Sequence, residues 1–90
     1  MNRVELTEKI NQIKDIVNKI NDLNDKYYVE DLTEDEENKI LSETEELSKS
    51  GADILVEITG NETNKDNFYK MLYFNVYRDK ITDILDKYRV

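Results

Sequence analysis

The chain has no cysteine, no histidine, no proline and no tryptophan, and only two glycines in 90 residues. Without cysteine there is neither a disulfide nor a thiolate metal site. Without histidine the usual general base, the commonest metal ligand and the ordinary switch near neutral pH are all missing. A β-sandwich needs turn residues at short intervals, and a chain with no proline and two glycines does not supply them. Nor do two separated glycines make a phosphate-cradling loop. No apolar run has the length of a signal segment or a bilayer span, so the sequence reads as a soluble, cytoplasmic protein with no membrane partner.

What is present is charge and period. Hydrophobic and charged residues each make up 38% of the chain, a balance that favours helices, and the length suits one domain, 1–90, with a simple core. Leu6, Ile10, Ile13, Ile16, Val17, Ile20, Leu23 and Tyr27 recur at spacings of three and four. That period predicts an amphipathic helix over about 4–27 in spite of the β-branched isoleucines. Asn11 and Asn18 fall off the stripe and are expected in solvent. After a break at 28–32, Thr33-Glu34-Asp35-Glu36 has the form of a capping box, with acids suited to the positive end of a helix dipole.

The second helix is predicted to run from there to about Thr59, on a seam of Ile40, Leu47 and Ile54 flanked by Leu41, Leu55 and Ile58. Gly51 is its weak point. An interior glycine costs about 1 kcal/mol relative to alanine, and Ser48-Lys49-Ser50-Gly51 also suits a C-cap, which would leave 53–59 as a short strand. Gly60–Asn64 has loop chemistry, with Thr63 or Asn64 capping a third helix over 64–89. There Phe74, Tyr77, Ile81, Ile84, Leu85 and Tyr88 form one stripe, while Phe68, Met71, Leu72 and Val76 point away from it. A helix that is apolar all round must be covered all round. Three segments of about 35–40 Å each predict an all-α, three-helix antiparallel bundle. The alternative is α-α-β-β-α, with a hairpin at about 53–77 pairing 54–58 with 68–77.

Catalytic readings fare poorly. A serine nucleophile lacks a base and an orienting group. Carboxylates are plentiful, but acid–base work needs a cleft that perturbs them, which an exposed run does not offer. Asp31, Thr33, Asp35 and Glu37 mimic the start of a calcium loop. Glu36 stands where glycine is needed, however, and Ser42 where the bidentate glutamate is needed. Asn61-Glu62-Thr63 is a glycosylation sequon by pattern alone. The expectation is no enzyme, no cofactor and no metal. Direct nucleic-acid binding is not expected either, since the bases are scattered singly and the net charge is −8.

That charge is lopsided. Between Glu30 and Glu57 lie eleven carboxylates and two lysines, Lys39 and Lys49, while the flanking thirds are close to neutral. Glu30, Asp31, Glu34, Asp35, Glu36, Glu37, Glu43, Glu45 and Glu46 are therefore candidates for a face that docks a basic protein surface. Such a face imitates the negative backbone of a nucleic acid, whose protein affinity is largely electrostatic. Solubility is the plain alternative for the same residues. Six of eight aromatics lie between Phe68 and Tyr88. Phe74, Tyr77 and Tyr88 are expected in the core, and Phe68, Tyr69 and Met71 at a partner interface, which includes the case of a two-fold homodimer.

The run Ile20-Asn21-Asp22-Leu23-Asn24-Asp25-Lys26-Tyr27-Tyr28-Val29-Glu30-Asp31, with Met71-Leu72-Tyr73-Phe74 before a final helix, resembles short helical accessory proteins of staphylococcal pathogenicity islands and Gram-positive phages. The resemblance covers about a third of the chain and carries no catalytic residues. It implies a mobile-element protein that acts by binding a host, phage or repressor protein. Together these readings predict a small acidic module that inhibits or modulates a partner by stoichiometric binding, with a nucleic-acid-binding enzyme or regulator as the leading partner class. A homo-oligomeric assembly protein is the alternative.

Overall fold

A computed structural model describes residues 2–29, 31–75 and 78–88. It is all-helical: α1 (Arg3–Val29), α2 (Glu34–Thr59), a 3-10 turn (Glu62–Asn64), α3 (Lys65–Tyr73) and α4 (Arg78–Lys87), with no strand among the described residues. The hairpin alternative at 53–77 is thereby excluded. Residues 54–58 lie inside α2, and 68–73 lie inside α3.

The ends of the two long helices are set locally. Asn2 opens α1: its Oδ1 accepts the Glu5 amide at 2.9 Å and its Nδ2 donates to the Glu5 carboxylate at 3.2 Å. Thr33 opens α2 as its residue type predicts. Its Oγ1 accepts the Glu36 amide at 3.2 Å and donates to the Glu36 carboxylate at 3.0 Å, so hydroxyl and carboxylate satisfy the helix start together. At the far end Gly60 adopts the left-handed conformation, φ 68°, and its N–H donates to the Val56 carbonyl at 2.7 Å. A side chain would be strained at that φ, which is why the helix stops on glycine. Asn64 occupies the position before α3, but its side chain accepts from Asn67 at 2.6 Å and caps no backbone amide.

Helix α2 is the middle layer. It packs on α1 along one flank and on α3 along the other, while α1 and α3 touch only slightly. Lys9 of α1 reaches Glu57 near the end of α2, so α1 and α2 run antiparallel. Lys65 at the start of α3 meets Asp53 at 2.6 Å, and Leu72 near its end packs at Gly51. The core is Ile10, Ile13, Ile16 and Ile20 from α1, Ala52, Leu55 and Ile58 from α2, Phe68 and Leu72 from α3, and Ile81 and Leu85 from α4. The α1 stripe is as its period predicts, and Asn11 and Asn18 are exposed.

The α2 seam differs from expectation. Ile40, Leu47 and Ile54 are only partly buried, and Leu41 is exposed. The buried line is Thr44, Ser48, Gly51, Ala52, Leu55 and Ile58. A helix gripped from two sides turns small residues to the junction so that both neighbours can approach, and the branched side chains move to the flanks. The hydroxyls on this line create no deficit. Ser48 Oγ donates to the Thr44 carbonyl at 2.7 Å, and Thr44 Oγ1 donates to the Ile40 carbonyl at 2.8 Å, so a buried polar atom is satisfied within its own helix.

The expected third helix over 64–89 is two helices. Phe68 and Leu72 are one turn apart and both buried; Ile81 and Leu85 repeat that pattern. Leu72 and Ile81 are nine residues apart, about two and a half turns, and would face opposite ways on one straight helix. Breaking the helix lets both pairs reach the same core. Asn75 makes the break, with φ at 53°, a left-handed conformation that asparagine tolerates better than most residues. Phe74 and Tyr88, expected in the core, are 61% and 37% exposed. Ile81 and Leu85 of that stripe are buried and Ile84 packs on the core, while Phe74 lies before the break and Tyr88 beyond the last residue of α4. Val76 and Tyr77 lie outside the described residues.

Gly51 generates a test of this packing. A Cβ built there would lie 2.6 Å from Leu72 Cδ1 and 3.4 Å from Ile16 Cγ2. Gly51→Val should therefore lower unfolding free energy by about 2 kcal/mol, as overpacking does. In urea denaturation the loss should shrink in a Leu72→Ala background, because the two sites share one space. Strict additivity of the two changes would show that the contact does not control the packing.

Candidate interaction face

The fold sorts the acidic residues into two groups. In the C-terminal half of α2 they are met from both sides: Lys9 of α1 pairs with Glu57, and Lys65 of α3 with Asp53. Glu45 pairs within the helix, one turn from Lys49, at 3.1 Å. Such exposed pairs contribute little stability, about 0–1 kcal/mol each, but they locally cancel charge.

The N-terminal half has no such cover. Asp31, Glu34, Asp35, Glu37, Glu43 and Glu46 are all exposed and make no ion pair among the described residues. Glu36 is exposed and takes the Thr33 hydroxyl. Glu30 lies outside the described residues. The acids in this half do not form a single row. Glu43 and Glu46 face the α1 side, where with Lys19, Leu47 and Ser50 they line a cleft of about 350 Å³. Glu34 and Glu37 continue the lines of the buried residues: Glu34, Leu41, Ser48 and Leu55 are each seven apart, as are Glu37, Thr44, Gly51 and Ile58.

The aromatic candidates separate as well. Phe68, expected at a partner interface, is 2% exposed and belongs to the chain's own core. Apolar bulk is needed where α3 lies on α2, and Phe68 supplies it. Met71 and Tyr69 are half-buried and pack on the core edge. What reaches the surface is a ladder: the Tyr69 and Tyr73 rings stack at 5.7 Å between centroids, and Phe74 meets Tyr73 edge-on at 5.1 Å. Phe74 thus has the exposed place that sequence periodicity had given to Phe68. The signal that distinguishes them is phase: Phe68 shares a face with Leu72 on α3, and Phe74 follows the last residue of that helix.

A second cleft, about 390 Å³, lies between α2 and α3, lined by Lys49, Ala52, Asp53, Lys65, Asp66 and Tyr69. Its charged groups are not set up as bases or nucleophiles. The Glu45 carboxylate bonded to Lys49 raises that ammonium above its usual 10.5, and Asp53 does the same for Lys65, so both remain protonated at neutral pH. Burial, and then the nearby charge of Glu45, push the Tyr69 phenol above its usual 10.0. No group of three metal-ligating side chains is found among the described residues. No helix of the described residues is long and apolar enough to cross a membrane.

Comparison with known protein families, with curated proteins and with solved structures finds no match to this chain.

The Tyr69 environment has a consequence at alkaline pH. A phenol whose pKa is raised on folding holds its proton more tightly in the native state than in the unfolded chain. Its stabilising contribution is complete below pH 10.0 and is lost as pH rises through the raised value. Lys49 and Lys65 shift in the same direction, from 10.5. Tyrosinate absorbance should show a phenol ionising above the usual range, and Tyr69→Phe should remove that component and flatten the decline of stability above pH 10. An unaltered titration in that variant would refute the assignment.

Proposed function

We propose that the chain is a small, non-enzymatic, cytoplasmic protein-binding module that inhibits or modulates a basic partner by stoichiometric contact. One observation carries the reading. Asp31, Glu34, Asp35, Glu37, Glu43 and Glu46 are exposed and make no ion pair among the described residues, while Glu45 pairs with Lys49 and, in the C-terminal half of α2, Asp53 and Glu57 pair with lysines of α3 and α1. A surface that only needed solubility would gain as much from acids spread over all the helices. Concentrated charge instead steers a cationic partner and raises the rate of encounter.

A nucleic-acid-binding enzyme or regulator is the partner class that fits, because its binding groove already accepts a regular line of negative charge. A role in a phage or mobile element accords with the resemblance described above. The supporting frame in this reading is an antiparallel bundle in which α3 and α4 together take the place of a third long helix.

Homo-oligomeric assembly is the second reading, favoured by the exposed Phe74 and Tyr28 rings. Its anchor cannot be Phe68, which is internal. A mass that rises with protein concentration would favour it.

The leading reading is tested on partners retained from host-cell lysate and then purified. The triple variant Glu34→Lys, Glu37→Lys, Glu45→Lys should lower the association rate constant about tenfold at low ionic strength and flatten its salt dependence. An unchanged rate and salt slope would remove electrostatic docking as the mechanism.

A further inference from the structure

Helix α3 is left through one backbone torsion. Phe74 still has helical angles, φ −83° and ψ −11°, and its N–H donates to the Lys70 carbonyl at 3.1 Å. The path departs at Asn75, whose φ is 53°. Among the described residues only Gly60 shares a positive φ. A side chain in that region is held against its preference, less so for asparagine than for most residues. No glycine or proline lies between Lys65 and Lys87, so no residue type in that stretch forbids a continuous helix.

Straightened, the stretch is one helix with two apolar faces at different heights. From Leu72 to Ile81 is about two and a half turns and about 13 Å of rise. Phe68 and Leu72 would stay on their own core, while Ile81 and Leu85 would move along the axis to the opposite side. Both are buried in the folded chain, and Ile84 packs beside them, so in water they would expose apolar surface unfavourably. The surface that fits them is the seat α4 has vacated. A second copy of this chain offers that seat with the same side chains. The half-turn offset also puts the second body on the side of the helix away from the first.

We infer that the chain forms a two-fold dimer by exchanging α4, with Asn75 as the hinge. In the dimer α3 and α4 join as one helix over 65–87, and Ile81, Ile84 and Leu85 of each chain occupy the seat on the other. A reciprocal exchange closes on itself and reuses contacts the monomer already makes. The tethered α4 competes at an effective concentration of about millimolar, so monomer prevails in dilute solution and dimer at high concentration. The charge of −8 on each chain opposes association, and salt screens it. The inference rests on the homo-oligomeric reading and gives it a defined joint; electrostatic docking is independent of it.

The test is made on the full chain, refolded from urea at about 10 μM to about 1 mM to bracket that effective concentration. Alanine is poor in the left-handed region and best in a helix; glycine is the reverse. Each dimer straightens two hinges, so Asn75→Ala should lower the dimer dissociation constant about tenfold or more. Asn75→Gly should raise it, a comparison that adds no strain to the monomer. Sedimentation equilibrium reads both, and added salt should favour the dimer. The exchange itself is read as a distance. The chain has no cysteine, so Lys70→Cys and Lys87→Cys, both at exposed positions, carry spin labels alone. In Asn75→Ala dimers diluted with unlabelled chain, the intrachain distance should lengthen to about 25 Å, the rise of a continuous helix, beyond that of the monomer fraction.

A dimer whose intrachain distance equals the monomer's overturns the exchange. So does a dimer of equal strength in both Asn75 variants. If that dimer is lost on Phe74→Ser, association belongs to the exposed rings and the homo-oligomeric reading stands without the exchange. A monomer at every concentration in all three proteins overturns both together.

Discussion

The close approach of three helices at Gly51 is the contact on which the rest of the architecture depends. A helix with neighbours on two flanks must bring both backbones near its axis, and that requires an absence of side chain at the crossing. Gly51 supplies it between Ile16 and Leu72, with Ala52 and Ser48 extending the narrow zone along α2. The helix gives up about 1 kcal/mol of intrinsic propensity there in exchange for tight packing of α1 and α3, whose isoleucine, leucine and phenylalanine side chains fill the core. Because α3 lies in register with Gly51, its last turn falls short of the start of α2.

The charge distribution follows the same division. Where α1 and α3 both flank α2, each contributes a lysine to an α2 carboxylate. Toward the start of α2, Asp31, Glu34, Asp35 and Glu37 make no ion pair among the described residues, and much of the net charge of −8 lies there.

Much of this was legible along the chain. The α1 stripe, the Thr33 capping box and the loop at Gly60 follow from local rules, because each concerns residues within a turn or two of one another; at Gly51 those rules allowed both a helix end and its continuation. The α2 seam did not. Threonine and serine count as polar in any periodicity reading, yet Thr44 and Ser48 satisfy their hydroxyls on their own helix and pack as small residues. The exchange of Phe68 and Phe74 between interface and core was hidden for a related reason. Both belong to an apolar run whose phase changes, and only the break at Asn75 decides which phase faces inward.

By itself the sequence determined that the chain is helical, that it has no histidine or cysteine, and that its negative charge is concentrated in its middle third. Those are properties of composition and of spacing within single helices. Which carboxylates are neutralised, which aromatic ring is left in solvent and where the cover of α2 ends were decided by tertiary structure. They depend on contacts such as Lys9 with Glu57 and Leu72 with Gly51, between residues far apart in the chain, and no local pattern encodes the packing that brings them together.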